Sequence, residues 1–94
     1  MKQVLAGDGV TEFLYHPGGN LIVEITGDFG DGSAVLLKSD LSTGANPYPY
    51  PPVGDNTFTT GDSAAWICSA GWYAISLSGA TAPSLTVYLN SPVA

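Results

Sequence analysis

Few side chains in this sequence could do chemistry, and their spacing decides what that chemistry would be. His16 is the single histidine and Cys68 the single cysteine. One histidine rules out a two-histidine metal site. A general base would need a nucleophile held beside it, and no Gly-x-Ser-x-Gly elbow occurs. His16 therefore reads as a strand-end histidine. Cys68 stands between Ile67 and Ser69 with no Lys, Arg or His close in sequence to stabilise a thiolate, and reads as a small buried hydrophobe. Asp28 and Asp31 lie in the run Gly27-Asp28-Phe29-Gly30-Asp31-Gly32. Calcium-loop spacing and a closing bidentate glutamate are missing, so turn chemistry is expected there. No carboxylates are paired at a spacing suited to acid–base work. The sequence thus predicts no catalytic residue, no metal site and no cofactor.

The aromatic residues offer more. Asn46-Pro47-Tyr48-Pro49-Tyr50-Pro51-Pro52 alternates proline with tyrosine, which removes backbone donors and holds the chain near polyproline II. Two readings stand side by side: a stiff connection whose rings lie on their own domain, or an arm whose Tyr48 and Tyr50 contact a neighbour. Gly71-Trp72-Tyr73 opens a strand in which Tyr73 begins the inward set, an arrangement similar to a tyrosine corner, with the hydroxyl sent to nearby backbone.

The elements that must position these residues are strands. Twelve glycines and seven prolines punctuate short runs rich in Val, Ile, Leu, Thr and Tyr, and no helical period lasts beyond two turns. Leu21, Val23 and Ile25 alternate with Ile22, Glu24 and Thr26, so the first set faces a core and Glu24 faces water. Gly27 to Gly32 reads as a hairpin-type connection into SAVLLKS, where Lys38 marks the outer face and puts Val35 and Leu37 inside. After a long connection from Asp40 to about Asn56 come TFTT, SAAWICS, GWYAISLS and SLTVYLNS. Tyr73, Ile75, Leu77, Leu85, Val87 and Leu89 share one face of the last two. The expected fold is all-β: one small antiparallel β-sandwich over residues 1–94, Ig-like or jelly-roll-like, of about seven strands.

Composition narrows the partners. Of 94 residues, 45% are hydrophobic and 11% charged, with eight carboxylates against Lys2 and Lys38 and a net charge of −6. Nucleic acid and anionic membrane surfaces are unsuitable partners, because nothing could neutralise a row of phosphates. A lone cysteine gives no intramolecular disulfide and suits a reducing compartment. MKQVLAGDG reaches a turn before an apolar signal region could form, and no run of 18 apolar residues follows, so neither a secretion signal nor a membrane span is expected. From Ser63 onward the remaining 32 residues carry no Asp, Glu, Lys or Arg. A neutral face bearing Trp72, Ala74, Ser76, Thr86 and Tyr88 would be inexpensive to desolvate. Tyr48, Tyr50, Trp72, Ser76, Thr86 and Tyr88 are the candidate interface residues.

Two stretches, LAGDGVTEFLYHPGGNLIVEITGDFGDGSAVLL and TFTTGDSAAWICSAGWYAISLSGATAPSLTVYL, together cover most of the chain. They resemble a family of small tailed-phage virion proteins in the Gly-Asp-Gly turn, the proline-glycine turn, the strand ending in Gly-x-Phe-Gly, the Ala-Gly-x-Tyr strand and the Ser-Gly-Ala-Thr-x-Pro-Ser turn. The chain departs from that pattern at Ala74, where the family often has arginine, and in its proline-rich loop, which replaces a shorter one. The resemblance implies a non-enzymatic capsid decoration, or cement, protein. Such a protein is assembled in the host cytoplasm, bound to the major capsid protein on the virion surface and homo-oligomeric, with a trimer favoured. A head or tail accessory protein is a near variant. A carbohydrate-binding or adhesin-like virion module, with Trp72, Tyr48 and Tyr50 as stacking platforms, is the alternative from another class.

Overall fold

Alternation of apolar and polar residues dictates extended chain, and the computed structural model, which describes residues 1–50, 57–59 and 61–91 (backbone only for 62–68), contains strands and turns without a helix. In chain order they are β1 (Lys2–Leu5), β2 (Gly9–Val10), β3 (Leu14–His16), β4 (Gly19–Asp28), β5 (Ser33–Ser39), β6 (Tyr48–Pro49), β7 (Thr57–Phe58), β8 (Asp62–Cys68), β9 (Gly71–Ser78) and β10 (Ser84–Asn90). The ten strands fill eight sheet positions, one more than the expected seven, because two edge positions are split into short pieces, β2 with β3 and β6 with β7.

The pairing is nested. β1 pairs with β10, β2 and β3 with β9, β4 with β8, and β5 with β6 and β7, all antiparallel. This is one long ribbon folded about the segment 40–47. Rolling the ribbon brings β10 beside β4 and β9 beside β5. The result is sheet A, in the order β1-β10-β4-β8, facing sheet B, built on β9 and β5 with the split strands at its edges. Two sheets of four positions wound this way form a jelly roll, and an Ig sandwich, whose order and strand numbers differ, is excluded.

Leu21, Val23 and Ile25 of β4 and Leu85, Val87 and Leu89 of β10 meet Ala34 and Leu36 of β5 and Tyr73, Ile75 and Leu77 of β9 in the core, each 0–1% exposed. Each large aliphatic buried this way contributes about 1.5–3 kcal/mol. The expected inward sets of β4, β9 and β10 are thus the observed ones. That of β5 is reversed. Ala34, Leu36 and Lys38 face inward, while Val35 and Leu37 lie half-buried on the outside. The run is apolar in both parities, and a lysine at the end of a sandwich can bury its stem while its ammonium reaches the rim. Gly71 makes the room, since a Cβ there would come within 2.5 Å of the Lys38 Cε.

Two further expectations are corrected by the same rolling. Gly27 to Gly32 is no hairpin, because β4 and β5 lie in different sheets and the loop crosses between them. The loop plugs the core with Phe29, which is 6% exposed. β9 and β10 also lie in different sheets. Their apolar sets meet across the core, so their other sides point in opposite directions and cannot form one face.

Candidate functional site

The two ends of the sandwich are closed differently. At the end where β9 begins, a polar cluster sits inside the sheet layer. The Tyr73 hydroxyl donates to the Ser69 carbonyl at 2.7 Å, the tyrosine-corner bond expected from its position. The rings of His16 and Tyr50 stand edge-on to Tyr73, with centroids at 5.8 and 5.6 Å. His16 has no exposed surface. Its Nε2 lies 3.0 Å from the Gly19 carbonyl, which only accepts, so Nε2 carries hydrogen. In the neutral ring Nδ1 then accepts from the Ser91 hydroxyl at 2.5 Å. A serine–histidine pair is the start of a nucleophile and base. Here the third partner is a backbone carbonyl. Every buried side-chain polar atom among the described residues already has a partner, so the cluster holds no described group in reserve for a substrate.

Lys38 Nζ, at the rim of this cluster, donates to Asp40 at 3.0 Å and to the Tyr48 hydroxyl at 3.2 Å. It lies 5.8 and 5.6 Å from the Tyr48 and Tyr50 ring centroids, within reach of cation–π attraction. Burial works to lower its pKa. The hydrogen bonds to Asp40 and Tyr48, with the charges of both, outweigh burial and leave the pKa above the ordinary lysine value. Tyr50 N–H donates to the Leu36 carbonyl at 3.0 Å. Tyr48 and Tyr50 are therefore half-buried on their own domain, where they strap the proline-rich segment across the sandwich end. Residues 51–56 of the long connection lie outside the described residues, as do the side chains of Trp66 and Cys68.

The remaining candidates separate onto two surfaces. The outer face of sheet B carries Val10 and Ser76, Tyr15 and Trp72, Val35 and Thr57, and Leu37 between Ala74 and Pro49, as opposed positions on neighbouring strands. None of these residues is charged. The Tyr15 and Trp72 rings are 5.1 Å apart, and Tyr15 and Val10 are 48% and 47% exposed. Thr86 and Tyr88 lie on the outer face of sheet A, on the far side of the molecule. There Tyr88 stands between Lys2 of β1 and Glu24 of β4, and Thr86 stands between Val4 and Thr26. Lys2, Glu24, Thr26, Thr86 and Tyr88 line a shallow depression of about 290 Å³. Sequence reasoning singled out Thr86 and Tyr88 but missed Lys2, Glu24 and Thr26, which reach them only through strand register. It also missed the partners of His16 and Lys38. The spacing of Lys38 from Leu36 and Ala34 was the signal for its burial.

Among the described residues no group of three or more His, Cys, Asp or Glu could hold a metal ion, and no helix is long and apolar enough to cross a membrane. No family model matches the chain, and no curated protein and no solved structure matches it.

Proposed function

We propose that this protein is a non-enzymatic structural component of a tailed-phage virion, of the capsid decoration type, and that it docks through the outer face of sheet B. The observation that supports this reading is that, among the described residues, none of those opposed across that face is charged, in a chain of net charge −6. Tyr15 and Trp72 form its aromatic margin, Val35 and Leu37 its aliphatic strip, and Ser76 lets another surface approach closely. An uncharged surface with Tyr15 and Val10 exposed and Trp72, Val35 and Leu37 half-exposed beside them suits a partner. Aromatic residues are enriched, and charged residues depleted, at the centres of protein interfaces. The carboxylates at Asp8, Asp28 and Asp31 occupy turns at one end, where they keep the undocked surface soluble. The partner is the major capsid protein, and self-association as a trimer would suit a three-fold position on the shell.

The test separates the faces. Ser76→Lys introduces a charge in the middle of the sheet B surface. It is expected to leave the circular dichroism spectrum unchanged while abolishing self-association by native mass spectrometry and lowering retention on capsids. Val4→Lys, on sheet A, should behave like wild type in both assays. If Ser76→Lys assembles and docks like wild type, the sheet B face is not the interface and the reading fails.

A further inference from the structure

The outer face of sheet A has a different chemistry, and we infer that its depression around Tyr88 binds a neutral saccharide. The inference is independent of docking through sheet B. Tyr88 is half-buried at the centre of the depression, with Lys2 directly opposite it on one neighbouring strand and Glu24 on the other. Adjacent strands are about 4.8 Å apart, so the cation-bearing and anion-bearing strands lie roughly 10 Å apart with the ring between them. Thr86 and Thr26 add a pair of opposed hydroxyls one step along the strands.

None of these five side chains makes a hydrogen bond or ion pair among the described residues, where Lys38 to Asp40 is the ion pair found. Their donors and acceptors are therefore open to a ligand. Together they offer an ammonium donor, a carboxylate acceptor, three hydroxyls that can do either, and one aromatic ring.

That set selects among ligand classes. A pyranose needs donors and acceptors distributed around its rim and an apolar C–H surface to rest on a ring, and the depression supplies both. An anion would gain Lys2 but meet Glu24 and the net negative field of the domain. An apolar ligand would leave two charges and two threonine hydroxyls unsatisfied. A peptide strand would need a free sheet edge, whereas β10 and β4, which carry most of the lining, are each paired on both sides. The volume lies near the lower end of the usual range for ligand sites, about 300 to 1,000 Å³, which fits one sugar unit of a longer glycan.

Titration of the ¹⁵N-labelled protein with maltotriose and with chitotriose, each to about 10 mM, tests this. At least one is expected to give saturable amide shifts centred on Lys2, Glu24, Thr26, Thr86 and Tyr88. Tyr88→Ala and Thr86→Val should each weaken that binding at least tenfold, with Asp31→Ser as the unaffected control. Two substitutions keep the test sound should one of them perturb the sheet. The inference is overturned if neither sugar gives saturable shifts, if the shifts map elsewhere, or if folded Tyr88→Ala and Thr86→Val both bind like wild type. Tighter binding of an anionic sugar such as glucose 6-phosphate would overturn the neutral-ligand assignment.

Discussion

The two ends of this sandwich do the same job with different materials. At the end where β9 begins, side chains close the core: the Tyr73, His16 and Tyr50 rings stack edge to face, and Lys38 ties Asp40 and Tyr48 to the rim. At the opposite end the Phe29 ring plugs the core and closely packed turns, held by two carboxylates, seal it. The Asp8 carboxylate accepts from the N–H groups of Gly79 and Ala80 at 3.1 and 2.9 Å. Asp28 accepts from Gly30 N–H at 2.8 Å, and the Gly30 carbonyl accepts from Thr81 N–H at 2.8 Å. Gly27 and Gly30 have φ of 109° and 59°, and a Cβ on either would strike a carbonyl oxygen, of Ser84 or of Thr81. The first end depends on a polar cluster of side chains, and the second on one apolar plug together with glycines that let backbone meet backbone. A jelly roll requires both ends to be shut but leaves the means open.

Substitutions can break or sharpen that contrast. Tyr73→Ala is expected to have the largest effect, a loss of roughly 3–5 kcal/mol in urea unfolding, because it empties the ring's place and unseats two neighbouring rings. Tyr73→Phe, which keeps the ring and removes the bond to Ser69, should cost about 1–2 kcal/mol. Equal losses for the two would mean that the hydroxyl, and not the ring, closes this end. Gly27→Ala should cost about 2–3 kcal/mol, combining a positive φ with the Ser84 clash. Gly79→Ala, also at positive φ but in open space, should cost nearer 1 kcal/mol. If the two alanines are equally harmful, close backbone packing is not what this end relies on. Asp8→Ala removes two hydrogen bonds at an exposed position and should cost about 1 kcal/mol by the same measurement.

Lys38→Met should have the smallest effect at neutral pH, under about 1 kcal/mol, since lost hydrogen bonds are offset by relief of desolvation. Its signature is the pH dependence. A lysine whose folded pKa is raised above 10.5 contributes in full below that value and loses its contribution as pH rises through the folded pKa. The stability difference between wild type and Lys38→Met should therefore be flat from pH 7 to about 10 and move in the destabilising direction for wild type above that. A difference that changes between pH 6 and 8 would show that Lys38 is not held as described.

What could be read from sequence followed local alternation. The inward sets of β4, β9 and β10 and the role of Tyr73 were legible because in each strand one parity is apolar and the other is not. β5 was illegible for the opposite reason: Val35 and Leu37 are as apolar as Ala34 and Leu36, and only Lys38 breaks the tie, in the unexpected direction. Alternation also says nothing about which strands pair. Trp72 and Ser76 looked like neighbours of Thr86 and Tyr88 because two consecutive strands with a short turn suggest a hairpin, yet the nested pairing sends them to opposite faces. The same nesting assembled the Lys2, Tyr88 and Glu24 triplet from three distant parts of the chain.

Nested pairing also orders events in time. Leu37 and Pro49 pair across the bend, whereas Lys2 and Tyr88 pair across nearly the whole chain. Loop-closure entropy makes the first pairing the easiest to form from the unfolded state, and each later one becomes affordable only after the pair inside it has shortened its loop. The ribbon should therefore zip outward from the bend, which is pinned early by the Ser39 hydroxyl donating to the Ala45 carbonyl at 2.6 Å and by the Gly44 N–H donating to the Leu41 carbonyl at 2.9 Å. Opening the chain in that bend and joining the original ends through a short linker would turn β1 and β10 into the local hairpin. Such a permutant should reach the same jelly roll at nearly the same stability while folding from the opposite end of the ribbon.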